Sequence, residues 1–511
     1  MSAPLAIELA GIDKRFGAVH ANKAIDLKVK KGSIHGIVGE NGAGKSTLMS
    51  ILYGFYQADA GEIRIAGKPV SIPSSQAAIS QGIGMVHQHF MLVENFTVLE
   101  NVVLGAEGGA LLRGGIAAAR KELKRLETDY ELKVDPDAIT GDLPVGLQQR
   151  VEILKALFRG AEVLILDEPT GVLTPAEADH LFRILRVLRD EGKTVLLITH
   201  KLREIMAVTD QVSVMRRGEM VATRDTASTS MGELAELMVG RRVLLRVDKT
   251  PAVPAGPVLE VDGLTVRDGR GVDVVKDVSL TVRAGEIVGI AGVSGNGQSE
   301  LLEAIAGIRA AETGTVTIDG TRIDLARARV DAADMRAHGL AHVPEDRHRM
   351  GLVTKFSEYE NAILGYHRDP AYGRGAFLDL DAIRATARAE IEKYDIRPPD
   401  CMLKTAGFSG GNQQKIVLAR EIERDPAVLL VGQPTRGVDI GAIEFIHKRL
   451  IELRDSGKGI LLVSVELDEV RALADRVLVM FDGRIVGERA PEAAESELGM
   501  LMAGATQEAA E

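Results

Sequence analysis

Residues Gly39 to Thr47 read GENGAGKST, and residues Gly292 to Glu300 read GVSGNGQSE. The first stretch fits G-x-x-x-x-G-K-[ST] in full and sits between a strand-like run, IHGIV, and a helical run, TLMSILYGF. Gly39, Gly42 and Gly44 let the backbone at Glu40, Asn41 and Ala43 wrap phosphates with its N–H groups, and the helix N-terminus adds partial positive charge. Lys45 is placed to bind the β- and γ-phosphates, Ser46 to ligate Mg²⁺, and Thr47 completes the motif. The second stretch keeps Gly292, Gly295, Gly297 and Ser299 but has Gln298 where the first has Lys45. A phosphate loop without its cation demands an explanation, and the rest of the chain supplies one.

The two loops belong to an internal repeat. KKGSIHGIVGENGAGKSTL aligns with RAGEIVGIAGVSGNGQSEL, AEVLILDEPTGVLT with PAVLLVGQPTRGVD, and KTVLLITHKLREI with KGILLVSVELDEV. Each copy alternates apolar strands with amphipathic helices, the pattern of a mostly parallel α/β sheet. We expect a first domain over 1–247, an exposed linker over 248–257 (DKTPAVPAGP), a second domain over 258–497 and a frayed tail over 498–511. Segments near 95–142 and 355–405 read as a helical subdomain inserted into each core, with their charge runs on solvated helix faces.

A length of 511 residues, 45% of them hydrophobic and 26% charged, suits two globular domains with ample cores. No apolar run is long enough to cross a bilayer, and Glu8 interrupts the N-terminal stretch where a signal peptide would be unbroken. A lone cysteine, Cys401, rules out a disulfide framework and fits a reducing cytoplasm. The net charge of −11 argues against a nucleic-acid partner.

VLILDEPT completes the first-half site. Its apolar residues form a buried strand that presents Asp167 to the metal and Glu168 to the attacking water as general base. His200, at the end of TVLLITH, is placed to hydrogen-bond the γ-phosphate, and Gln88, in MVHQHF, to touch Mg²⁺ or the lytic water. His87 and His89 read as packing or surface residues, and Phe16, in KRFGA, as a candidate to stack on adenine.

Phosphate loop, Gln88, DEPT and His200, in that order and doubled, resemble the nucleotide-binding subunits of ABC transporters. The resemblance covers nearly the whole chain. FSGGNQQKIVLARE, from Phe408 to Glu421, looks like the signature of that family, and Ser409, Gly410, Gly411 and Asn412 open its helix. The resemblance implies tandem P-loop ATPase domains, each with a mostly parallel core sheet, an antiparallel β region and a helical insert. It also implies that the phosphate loop of one domain and the signature of the other sandwich each ATP.

Paired so, one composite site joins the first-half residues to Ser409, Gly410, Gly411 and Asp439, and every part is present. The other joins Gln298, Glu345 in the place of the loop glutamine, Gly432 for the metal aspartate, Gln433 for the base and Val465 for the histidine. Val266 falls near the adenine-stacking position. Its facing signature, LPVGLQQ, has Pro144 and Val145 before Gly146, and Thr174 in the place of Asp439. A proline in the first turn of a helix spares the fold, so that change costs phosphate contact instead. The losses fall on one site, which reads as a static clamp beside a working motor.

PTGVLTPAE and VPEDRHRMGL look like the fused ATPases of bacterial importers for simple sugars and nucleosides, and MVHQHFMLVENFTVLENVVLG leans toward the nucleoside branch. That resemblance implies two permease subunits, each docking a coupling helix near a loop glutamine, an indirect solute-binding protein, and a place on the cytoplasmic face of the inner membrane. The alternative is a soluble two-domain ABC ATPase acting on the ribosome, but such proteins carry a long basic helical linker that this chain lacks.

Overall fold

The computed structural model describes residues 4–17, 19–87, 91–105, 112–171, 173, 175–242, 249–293, 295–327, 330–374, 377–438 and 440–504. The chain divides into two compact units, Met1–Val243 and Leu244–Glu511.

In the first unit a six-stranded sheet runs Glu219–Asp225, Gln211–Arg216, Ile34–Gly39, Thr194–Ile198, Val163–Asp167, Ile83–Val86. Neighbours are parallel except the first pair, a hairpin at the edge. Ile34–Gly39 and Thr194–Ile198 are buried throughout, as strands covered on both faces must be, which is why their sequences are unbroken apolar runs. Every functional loop leaves the same, C-terminal, edge of this sheet, where open α/β sheets place their ligands. A second, antiparallel sheet of four strands begins with Leu5–Phe16 paired to Val19–Lys30. Helices Val98–Val103, Leu112–Asp129 and Val145–Phe158 supply the insert.

The second unit repeats this plan, with its sheet ordered Leu340–Val343, Val428–Gly432, Gly459–Ser464, Ile287–Ala291, Arg476–Phe481, Arg484–Arg489. Its insert carries helices Glu358–Ala362, Leu380–Lys393 and Gly410–Ile422.

Four details differ from the sequence reading. The 249–256 stretch is exposed along much of its length but is no free spacer: Lys249 Nζ donates to Leu473 O at 3.0 Å, Arg454 Nη2 to Thr250 O at 2.9 Å, and Ala255 N to Ala284 O at 2.9 Å. Residues 498–502 are not frayed; helix Glu495–Met502 buries Leu498, Leu501 and Met502 in the core, and only 505–511 lie outside the described residues. Val266 is a fully buried core residue paired with Val275, because Leu264 pairs Val278 just as Ile12 pairs Ile25; Asp268, not Val266, matches Phe16.

The fourth concerns the helical insert, where not all charges are solvated. Glu358 and Glu390 are 0% and 4% exposed, and neither carboxyl has a hydrogen-bond partner among the described residues. Burial, then the charge of Glu390, pushes Glu358 up to about 8; burial pushes Glu390 up to about 7 against the pull of Arg424 and Arg420 and with the push of Glu423 and Glu421. The folded state therefore binds these protons more tightly than the unfolded state. Their contribution is fully present below the ordinary carboxylate range and is lost as pH rises through about 7 to 8. Urea unfolding of the second unit is expected to lose stability, by up to about 6 kcal/mol, between pH 5 and 8.5, and Glu358→Gln to flatten that slope. An unchanged slope in the variant would show that the pair is solvated.

Candidate functional site

The first loop is shaped by its glycines. Gly44, at φ 97°, precedes helix Lys45–Leu52, and a Cβ there would run into Ala21 O and Asn22 Nδ2. The helix starts at Lys45, two residues before the run TLMSILYGF suggests, so its unpaired N–H groups open directly into the loop. Asn22, fully buried, donates Nδ2 to Gly44 O at 3.1 Å and pins the turn. The sequence reading missed this residue; its one signal was a polar side chain on an inward position of an apolar strand.

Lys45 is 6% exposed and donates Nζ to Gly39 O at 2.6 Å and Glu40 O at 3.1 Å. Burial holds its pKa below the ordinary lysine value, while Glu168, Asp167 and Glu40 pull the other way. Ser46 hydrogen-bonds Asp167, the last residue of Val163–Asp167; burial and the adjacent Glu168 raise the Asp167 pKa against Lys45 and Ser46. A hydroxyl and a carboxylate held together at the foot of the loop are hard oxygen donors, a set that suits Mg²⁺.

Glu168 adopts φ 47°, a left-handed conformation that costs a non-glycine residue about 1–2 kcal/mol. Its N–H donates to Ile198 O at 2.8 Å, and its Oε1 lies 3.0 Å from His200 Nδ1. Burial raises its pKa, but the hydrogen bond and charge of His200, then Lys45 and Lys201, outweigh that and hold the carboxyl below its ordinary value. The strand before His200 ends at Ile198, so His200 stands on a loop, free to face Glu168.

Lys45, Ser46, Asp167, Glu168 and His200 thus converge at one sheet edge. Gln88, His89, Thr174 and Asp439 lie outside the described residues. His87 packs against the rings of Tyr53 and Phe55, as expected of a packing residue. Phe16 is 42% exposed and edge-on to Tyr56, so its ring is not part of the core.

A family model described as ABC transporter matches residues 22–171 and 275–436. The chain belongs to the ABC transporter family. Each unit holds one of the two matched regions and is one ABC cassette. A guanosine import ATP-binding protein of Bacillus subtilis, NupO, is 50% identical over 506 residues, spanning 99% of this chain and 98% of that protein. A nucleoside import ATP-binding protein of Lactococcus lactis, NupA, is 47% identical over 99% of both chains. A glucose import ATP-binding protein of Haloferax volcanii, TsgD13, is 46% identical over 98% of this chain and 96% of its own.

The second ABC cassette keeps the loop and changes its chemistry. Gly295 and Gly297 hold φ 90° and 98° before helix Gln298–Ile305. Gln298 is 5% exposed and donates Nε2 to Val293 O at 3.1 Å, the counterpart of the bond from Lys45 to Glu40 O. The amide preserves the shape of the loop and deletes its charge. Gln433 copies the backbone of Glu168, with φ 47° and its N–H on Val463 O at 2.8 Å. Its Oε1 accepts from Val465 N at 3.3 Å where Glu168 meets His200. Glu345 Oε2 accepts from Ser299 Oγ at 2.6 Å; burial raises its pKa against Ser299 and Arg436.

The two ABC signatures diverge in geometry. Ser409 is the N-cap of helix Gly410–Ile422, its Oγ accepting from Asn412 N at 3.5 Å and Asn412 Nδ2 at 2.8 Å. Gly410 has no room for a side chain: a Cβ would lie 2.7 Å from Arg347 Nη2 and 2.8 Å from Gly437 O. Arg347 also donates to Arg436 O at 2.7 Å, bracing the turn. In the first cassette Pro144 is the N-cap of Val145–Phe158 rather than a first-turn residue, and it makes no side-chain cap. A Cβ on Gly146 would collide with the Glu177 carboxylate, so an anion already stands beside that helix end. Arg347 and Glu177 lie inside VPEDRHRMGL and PTGVLTPAE, but sequence pattern gave neither a role, because each acts on a turn distant in sequence.

Proposed function

We propose that the first cassette's loop binds ATP, that hydrolysis there energises import of a nucleoside or simple sugar through a membrane permease, and that the second cassette contributes its Ser409–Gly411 turn to cap the terminal phosphate. The observation that carries this reading is the asymmetry between two loops of one shape. One is ringed by Lys45, Ser46, Asp167, Glu168 and His200, the other by Gln298, Ser299, Gly432, Gln433 and Val465.

Lys45 leaves the carbonyls of Gly39 and Glu40 for the phosphate oxygens, exchanging neutral acceptors for anionic ones. Phe16 offers its exposed ring to adenine. Ser46 and Asp167, with Gln88, would hold Mg²⁺, which neutralises phosphate charge when bound. Glu168, held ionised by His200, accepts the proton of the attacking water, and His200 then donates to the γ-phosphate. The Pro144–Gly146 turn lacks a capping hydroxyl and is faced by Glu177, so it makes a poorer phosphate cap than the Ser409–Gly411 turn.

No helix of the described residues is long and apolar enough to cross a membrane. The chain therefore reaches the membrane through its permease; we place it on the cytoplasmic face beneath two permease subunits, with a solute-binding protein delivering the solute. The relatives import guanosine, nucleosides and glucose by name, and a nucleoside is the favoured solute because the guanosine and nucleoside importers, 50% and 47% identical, share that class. Cells lacking this chain are expected to lose uptake of labelled nucleoside. Lys45→Ala leaves the loss unrepaired, and Gln298→Ala restores uptake to within about threefold. Normal uptake in the deleted strain, or rescue by Lys45→Ala, contradicts the reading.

A further inference from the structure

We propose that the second cassette's loop also holds a divalent cation with its nucleotide, and that Glu345 supplies the carboxylate missing from position 432. The inference rests on reading that loop as nucleotide-binding. Gly432 ends strand Val428–Gly432, the place that Asp167 holds in the first cassette. A Cβ on Gly432 would lie 2.5 Å from Glu345 Cγ and 3.0 Å from Glu345 N. The missing side chain's space is thus filled by Glu345, which arrives from the adjacent parallel strand Leu340–Val343. Its Oε2 takes the Ser299 hydroxyl at 2.6 Å, reproducing the pair that Ser46 and Asp167 form.

Two apparent losses are therefore one relocation: an acid at 432 and the acid at 345 exclude each other sterically, and the chain has the second. A simple latch across the loop would need no acid, since a glutamine oxygen accepts a serine hydroxyl as well.

Mn²⁺ with a non-hydrolysable ATP analogue tests this by electron paramagnetic resonance on the full chain carrying Asp167→Asn, which removes the first cassette's carboxylate. Nucleotide-dependent Mn²⁺ loading is expected to persist, and Glu345→Gln, added to that background, to weaken it at least tenfold. Moving the acid, by Glu345→Ala with Gly432→Asp, is expected to restore loading that Glu345→Ala alone abolishes. Gly432→Asp alone is expected to lower the melting temperature, because Glu345 occupies its space. No loading in the Asp167→Asn chain, or loading indifferent to or strengthened by Glu345→Gln, overturns the inference. Those results leave the first-cassette motor standing, whereas undiminished ATP hydrolysis by Asp167→Asn would bring down the motor reading instead.

Discussion

The Glu168→Gln chain is expected to hydrolyse ATP about 10²–10⁴-fold more slowly than the unsubstituted protein while still binding it, the range a general base contributes. The change keeps side-chain volume and the backbone at φ 47°, so it isolates the carboxylate. The matched change on the other cassette, Gln433→Ala, is expected to alter turnover less than about threefold, because Gln433 already faces a backbone N–H rather than an imidazole. Steady-state phosphate release with purified chain and Mg²⁺·ATP reads both. Equal losses in the two variants would mean that both cassettes hydrolyse, and an active Glu168→Gln would remove the base assigned here.

Gly410→Ala is the second large effect. Its new methyl would meet Arg347 Nη2 at 2.7 Å and the Gly437 carbonyl at 2.8 Å, and the carbonyl is main chain that cannot swing aside. The turn carrying Ser409 must shift, and a lost charge-assisted phosphate contact of about 1.5–3 kcal/mol lowers turnover roughly 10–100-fold. Gly146→Ala, at the eroded signature, displaces only the tip of Glu177 and is expected to change turnover little. Circular dichroism separates this local effect from unfolding. If Gly146→Ala proves the more damaging, the pairing of signature and motor is reversed.

Much of the site was legible because phosphate chemistry constrains neighbours in sequence. A loop that wraps phosphate needs glycines at fixed spacing, and an acid at a strand end follows an apolar run; hence Lys45, Ser46, Asp167 and Glu168 could be named before their geometry was known. What escaped depends on contacts between distant segments. Glu345 and Gly432 lie 87 positions apart (432 − 345) on neighbouring strands' ends, and read singly they were two defects. Leu5–Phe16 and Pro257–Arg267 shift register at matching points, so Phe16 answers to Asp268 and not to Val266. Glu358 and Glu390 looked like solvated charges since nothing in a charge run says which way each residue turns. The fold itself, a doubled α/β plan with helical inserts, followed from periodicity and repetition.

The shared left-handed turn at Glu168 and Gln433 has an evolutionary corollary. A disused catalytic position would gain by relaxing into ordinary backbone, yet the second cassette still bears that conformational tax. On the reading proposed above, that cassette differs from the motor in side-chain identity rather than in backbone, so its machinery is mothballed rather than dismantled. Gln433→Glu would land an acid in a cradle already cast for it, leaving the absent ammonium at 298 and the missing imidazole at 465 as the obstacles to re-arming it.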